Sequence, residues 1–351
     1  MMKADFPAIS VTLFDRIGAI LWRDRWVFGL IALHWLVTVS IITAADLPYE
    51  NSAIRALFRI FTILMPVYLL VLLIWRIIAI SRANPGKRPI PILMRDLREI
   101  ATDFDGLLRG AFMLVGVSIF FGNFSVLKLS IPQLNPFGWD LTFAGLDAAL
   151  HFGTDPWRYF WSFLGNTAGI HFLNAVYVFW LFLLYFVNFA GAFTRTDPQL
   201  RRTYFIAFLL TWGLGGNLLA TLFSSVGPCF YGPLGLGDRF APLMVGLQAI
   251  HAATPITSLD VQQMLWAGYA TGEGGKGISA FPSMHVASSM LLALYAMAWR
   301  RWAGWMMMVF VGLVQLATIM LGWHYAIDGY AGIIVAFLAW WGAGRIARLG
   351  N

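Results

Sequence analysis

The chain has 351 residues, 59% of them hydrophobic and only 12% charged, with a mean hydropathy of +0.72. Soluble domains carry about 25% charged residues, so this chain lacks the charge to coat a water-facing surface, and it reads as one integral membrane domain. The net charge of +7 does not indicate a nucleic-acid binder, because the basic residues lie between apolar segments; the single cysteine, Cys229, excludes an intrachain disulfide, and no Cys/His cluster has zinc-finger spacing.

The N-terminal segment carries Asp5, Asp15, Arg16, Arg23, Asp24 and Arg25 ahead of the first apolar run. That is too long and too charged for a signal peptide, so the first span is expected to stay as an anchor. Apolar stretches of about 18 residues or more with few charges predict eight spans, near 27–45, 57–81, 107–127, 170–194, 203–224, 283–299, 302–321 and 325–344. The fold expected is therefore an all-α polytopic bundle. Between the third and fourth spans, FGWDLTFAGLDAALHFGTDPW predicts a helix lying in the membrane interface as a structural cuff. Trp139, Leu141, Phe143, Leu146 and Leu150 would share one face, with Asp140 and Asp147 pointing elsewhere. In the fifth span, Asn217 beside Gly213, Gly215 and Gly216 reads as a helix-packing residue. The stretch 241–253 is too short to cross and contains Pro242, so it is expected to form a loop helix or a re-entrant piece.

With the N-terminus in the cytoplasm, 16 of the 24 Lys and Arg residues fall on the cytoplasmic side. The positive-inside rule then places both termini there and the two long loops, 128–169 and 225–282, outside. Loops of that length are uncommon without a function. Compact connections and the absence of disulfides favour a bacterial inner membrane.

Of the 17 acidic residues, only Asp328 lies within a predicted span, four residues after His324 in LGWHYAIDGYAG. Ionisable groups at membrane depth are costly and point to function. On a helix, positions i and i+4 share a face, so Asp328 would fix the tautomer of His324 and leave its other ring nitrogen free as a nucleophile. His285, in SAFPSMHVASSM, falls at the start of the sixth span, with Pro282 suited to a first turn and Ser283 able to cap. Spans six and seven form a hairpin, so His285 and His324 are expected to meet on the outer side. The preceding TGEGGKGIS adds four glycines and Lys276, bringing backbone amides and an ammonium to a helix N-terminus suited to an anion. The remaining histidines, His34, His171 and His251, read as packing residues, and His151 as an interfacial one.

The segments Phe-Pro-Ser-Met-His (281–285) and His-Tyr-Ala-Ile-Asp (324–328), two spans apart, resemble the second and third signature motifs of the type 2 phosphatidic acid phosphatase superfamily. The resemblance covers residues 105–345 and implies a six-helix core within 105–351, with 1–104 adding two further spans. It implies that His324 is the nucleophile forming a phosphohistidine, Asp328 its partner, and His285 the acid that protonates the leaving group. Members typically carry Ser-Arg six or seven residues before the third-motif His; here Ala317 and Thr318 stand there, and the first motif is absent from its expected place. The pattern is closer to the branch of inositol phosphorylceramide synthase and sphingomyelin synthase, and SSVGPCFYG (224–232) is similar to a Pro-aromatic-Tyr element, including Tyr231, of that branch.

A phosphoryl centre needs cations and donors around its oxygens. Lys276 and Arg239, with Ser283, Gly277 and Tyr231, are the outer-side candidates. The function expected is a lipid phosphotransferase or phosphatase with no metal or organic cofactor, acting on a membrane lipid at the outer leaflet. A zinc enzyme using His285, His324 and Asp328, or a transporter or scaffold with a vestigial site, are the alternatives; activity in a chelator and loss of turnover in His324→Ala separate them.

Overall fold

A computed structural model describes residues 12–49, 53–271 and 277–349, with the backbone alone for 53–61. Among the described residues the fold is helical throughout, without strands, and seven helices are long and apolar enough to cross a membrane. A short amphipathic helix α1 (Leu13–Arg23), capped by Thr12 and Asp15, leads into α2 (Arg25–Ala44). Then follow α3 (Ala53–Ala83), the surface helix α4 (Pro89–Thr102) and α5 (Phe104–Leu129). Two outer helices, α6 (Asp140–Leu150) and α7 (Pro156–Leu164), precede α8 (Thr167–Ala192) and α9 (Pro198–Leu222). Two more, α10 (Ala241–Ala253) and α11 (Thr257–Ala270), precede the hairpin α12 (Met284–Trp299) and α13 (Arg301–Met320), and α14 (Ala326–Arg348) ends the bundle.

Of the eight expected spans, the sixth is α12, which lies where the sequence places it but has 16 residues, fewer than the about 20 that cross a bilayer. It is also the inner helix of the bundle: nine of its residues are buried, and it packs on α8, α9, α13 and α14. Its polar start is thus surrounded by protein, which is where non-helical backbone at depth is tolerated. The segment 241–253 is the 13-residue helix α10, with Pro242 in its first turn.

Close helix approach depends on small residues. A Cβ at Gly332 of α14 would lie 2.6 Å from the Ser283 carbonyl, which lets α12 and α14 touch at the start of α12. In α9, residues Thr211–Leu219 widen into π-helical turns, and a Cβ at Gly216 would meet the Phe124 ring at 2.7 Å. Asn217 of this stretch is a packing residue: its Oδ1 accepts from His34 Nε2 at 2.9 Å, and its Nδ2 donates to the Phe124 carbonyl at 3.1 Å. α2 is thereby part of the central core, where Val27 and Ile31 pack with Met113, Phe120 and Phe208. A second apolar cluster underlies the outer helices and joins Phe143, Trp157, Leu173, Leu243 and Tyr325.

At the opposite end of the bundle Arg201 of α9, 1% exposed, donates through Nη2 to Asp24, which is equally buried. Removing one member of a buried pair strands the other charge, at a cost of about 3–5 kcal/mol, whereas replacing both with apolar groups costs far less. Asp24→Ala is therefore expected to lower the midpoint of thermal unfolding of detergent-purified protein strongly, and Asp24→Leu with Arg201→Met to restore much of it. A double variant no more stable than the single one would contradict this account.

Candidate active site

The site is assembled from four helix ends. α12 starts at Met284, so His285 is its second residue. Ser283 occupies the N-cap position, but its hydroxyl makes no cap bond; its amide donates to the Asp328 carbonyl at 2.9 Å, tying the start of α12 to that of α14. Pro282 precedes the helix, joined to Phe281 by a cis peptide. α13 ends in a turn through Gly322, with φ of +74°, and the amides of Trp323 and His324 donate to the Thr318 carbonyl at 3.0 and 3.2 Å.

The pairing of His324 with Asp328 arises differently from a shared helix face. α14 begins at Ala326, so His324 lies just outside the helix and Asp328 at its third position. Asp328 Oδ2 accepts the Tyr325 amide at 3.0 Å, as in a capping box, and lies 3.4 Å from His324 Nδ1. That separation is longer than a formed hydrogen bond; such bonds often tighten only when substrate is present. Asp328 is fully buried and His324 6% exposed. The rings of His285 and His324 have centroids 5.8 Å apart. His285 is held between Tyr177, centroids 4.3 Å apart, and Trp180 at 4.1 Å, both from α8.

The loop carrying His324 is fastened by two carboxylates of α6. Asp140 accepts from the Val226 and Gly227 amides, at 2.9 Å for the shortest contact to each, and from the Tyr325 hydroxyl at 2.9 Å. Asp147 accepts the Ala326 and Ile327 amides at 3.2 and 3.1 Å, supplying the first turn of α14 with acceptors. Burial pushes both carboxyls above the ordinary range, and the backbone donors pull them back. Asp140, Phe143, Ala144 and Asp147 form the buried face of α6, while Leu141, Leu146 and Leu150 point outward. Phe143 thus departs from the face expected for it and stacks on Phe281 at 4.6 Å. Gly227, φ +84°, has the Trp323 carbonyl 2.5 Å from where a Cβ would stand, so only glycine lets these two loops meet.

His285 and His324 line one cavity of about 470 Å³. Its wall is largely apolar, with Tyr177, Trp180, Trp212, Phe230 and Trp323 among its residues. Lys128, in the last turn of α5, lines the same cavity and is its one Lys or Arg among the described residues. Gly277, φ +81°, also lines it and passes beside the Lys128 stem, 3.6 Å from Cε to the position of a Cβ. Lys276 lies outside the described residues. Arg239 is placed elsewhere: its guanidinium donates to Asp155 at 2.7 and 2.9 Å and to the Ala144 carbonyl at 2.8 Å. Tyr231 is buried against Phe240 and does not line the cavity, and neither does Ser283. The apolar run of the sequence stops at 127 and leaves Lys128 as the first residue of the loop 128–169, whereas the helix continues to Leu129. An ammonium in the last turn of a span was the signal available. Ala317 and Thr318 are fully buried, and the Thr318 carbonyl holds the His324 turn.

A family model described as the PAP2 superfamily matches residues 141–342, more than half of the chain and including both histidines and Asp328, and the chain belongs to that superfamily. Fold and membership together define a membrane-embedded enzyme of the lipid phosphatase and phosphotransferase type. Comparison with curated proteins and with solved structures gives no match.

Asp147→Ala removes the acceptor for two amides at the start of α14. Two buried amides lose a charged acceptor, so the substitution is expected to cost about 3 kcal/mol or more, read as a lower unfolding midpoint together with reduced turnover. An unchanged midpoint would show that α14 does not depend on this carboxylate.

Proposed function

We propose that the protein transfers a phosphoryl-containing group of a membrane lipid through a phosphohistidine intermediate, in two steps. His324 Nε2 attacks phosphorus, forming the P–N bond as the P–O bond to the leaving group breaks, while His285 gives its proton to the departing oxygen. His285 then takes the proton of an acceptor hydroxyl, whose oxygen attacks phosphorus and releases His324. Asp328 beside Nδ1 keeps the attacking nitrogen unprotonated and stabilises the ring as it gains charge. The observation that carries this reading is the meeting of His285, His324 and Lys128 in one cavity, with Asp328 3.4 Å behind His324.

Lys128 supplies the positive charge that the phosphoryl oxygens require. No arginine stands at the positions of Ala317 and Thr318, and the buried turn they form is used to hold His324. This departure favours the transferase branch that includes inositol phosphorylceramide synthase and sphingomyelin synthase, with an alcohol as acceptor; hydrolysis to free phosphate is the second reading. The cavity lies at the bundle end that carries the outer helices. Arg201, Arg202, Arg300, Arg345 and Arg348 lie toward the other end, so the positive-inside rule assigns the site to the outer leaflet. Residues 105–351 form the catalytic unit in this reading, and the first two spans are an addition to it.

Detergent-purified protein supplied with a panel of lipid phosphates and phosphodiesters, with and without alcohol acceptors, tests the reaction. His324→Ala is expected to abolish turnover and the acid-labile phosphoenzyme trapped by rapid quench. His285→Ala should lower kcat by about 10²–10⁴-fold, and Lys128→Met should lower kcat/KM by about 10²-fold, with Lys128→Arg recovering part of it. A new lipid product formed only with acceptor identifies a transferase, and free phosphate a phosphatase. Turnover unaffected by His324→Ala would end the phosphohistidine mechanism.

A further inference from the structure

The wall of the cavity is not closed on all sides. Val178 and Leu181 of α8 and Val261 of α11 line it, yet they are 46%, 40% and 36% exposed on the outside of the molecule. Residues that face both an interior cavity and the exterior stand in an opening. α8 is one of the membrane spans, and its neighbouring outward residues Phe172 and Phe179 are also exposed, so the opening continues an apolar surface of the kind that meets hydrocarbon. Among the described residues three of the four exposed side chains at this mouth are aliphatic, and the fourth is Thr257 in the first turn of α11.

The opposite jamb, α11, belongs to the long segment between α9 and α12 and is fixed in place by buried hydrogen bonds. Ser258 donates through its amide and hydroxyl to Asn174 Oδ1 of α8 at 3.1 and 2.7 Å, and Gln262 Nε2 donates to the Leu321 carbonyl at 2.8 Å. The gap therefore has a set width at its α8 side, with Val261 between the two anchors. The lining joins these aliphatic residues to Tyr177 and Trp323 and to Lys128 and the two histidines. An exposed, mostly aliphatic edge on a cavity that also holds one ammonium and two imidazoles is complementary to a lipid phosphate.

We propose that the gap between α8 and α11 is a lateral portal, through which a hydrocarbon chain of the substrate projects into the bilayer while its phosphate lies beside Lys128, His285 and His324. This rests on the proposed phosphoryl transfer and adds the route and the chain requirement. α11 is then a specificity element: it makes the enzyme act on phosphates carrying a long chain, because a short soluble ester gains nothing from the portal.

The full chain in phosphatidylcholine vesicles, given dioleoyl phosphatidate or its water-soluble dihexanoyl counterpart, tests this with Val178→Trp and Val261→Trp, singly and together. The double variant is expected to lose at least about tenfold in kcat/KM on the long-chain lipid, the scale set by a changed apolar pocket, and to stay within about twofold on the short one. Equal losses on both substrates, or none, overturn the portal. A second readout needs no turnover: a phosphatidate bearing a photoactivatable group on its chain should label peptides of α8 and α11 in the wild type and not in the double variant. Labelling there without any turnover keeps the portal and rejects the phosphoryl transfer reading; turnover with labelling confined to other helices rejects the portal alone.

Discussion

A buried helix start has amide donors with no partner of its own, and at membrane depth no bulk water is there to take them. The site is organised around the answer to that constraint. Three carboxylates, Asp140, Asp147 and Asp328, accept five backbone amides and one hydroxyl in the segments 226–227 and 325–327. Hydrogen bonds to charged groups contribute about 1.5–3 kcal/mol each, and leaving such donors unpaired costs more than forming them gains. His324 sits between segments clamped in this way, so its ring is placed by the backbone on either side of it. Asp328 serves twice, as acceptor for the Tyr325 amide and as neighbour of the imidazole.

The second organising feature is close backbone approach. Gly227 lets its turn meet the Trp323 carbonyl, and Gly332 lets α14 meet the Ser283 carbonyl. Together they bring the start of α12 and the start of α14 near enough for the rings of His285 and His324 to face one cavity. Side chains at either position would separate elements whose spacing the chemistry needs to within about 0.5 Å. The π-helical stretch in α9 works in the same direction: it carries Trp212 to the cavity and Asn217 to His34.

Much of this was legible in the sequence, for identifiable reasons. The spans follow from long apolar runs, and the hairpin of α12 and α13 fixes which helix ends share a face. His324 and Asp328 stood out because charge within an apolar run is rare. What was not legible depended on side-chain direction and on exact helix ends. The leucines of α6 were visible as one stripe, but period alone does not say that the acids turn inward and bring Phe143 with them. Arg239 had the right side and the right charge, and nothing in its neighbours revealed that Asp155, 84 residues away, takes it. Lys128 was missed by two residues of helix, since boundaries are the least certain part of a pattern reading.

In the proposed mechanism the choice of acceptor is a matter of partition at the phosphohistidine. Hydrolysis competes with transfer whenever water reaches that intermediate, and enclosure by apolar walls is the general means of suppressing it. Here the histidines lie against Tyr177, Trp180 and Trp323, under a set of outer helices fastened by buried bonds. On the proposed route, an alcohol borne on a lipid would arrive through the same opening as the donor, at the high local concentration of a membrane component, whereas water would have to cross it against its own solvation. The geometry that admits a hydrocarbon chain therefore also biases the second step. Enclosure and the proposed lateral access would act in the same direction as the turn at Ala317 and Thr318 in the proposed reading, toward transfer between two membrane lipids.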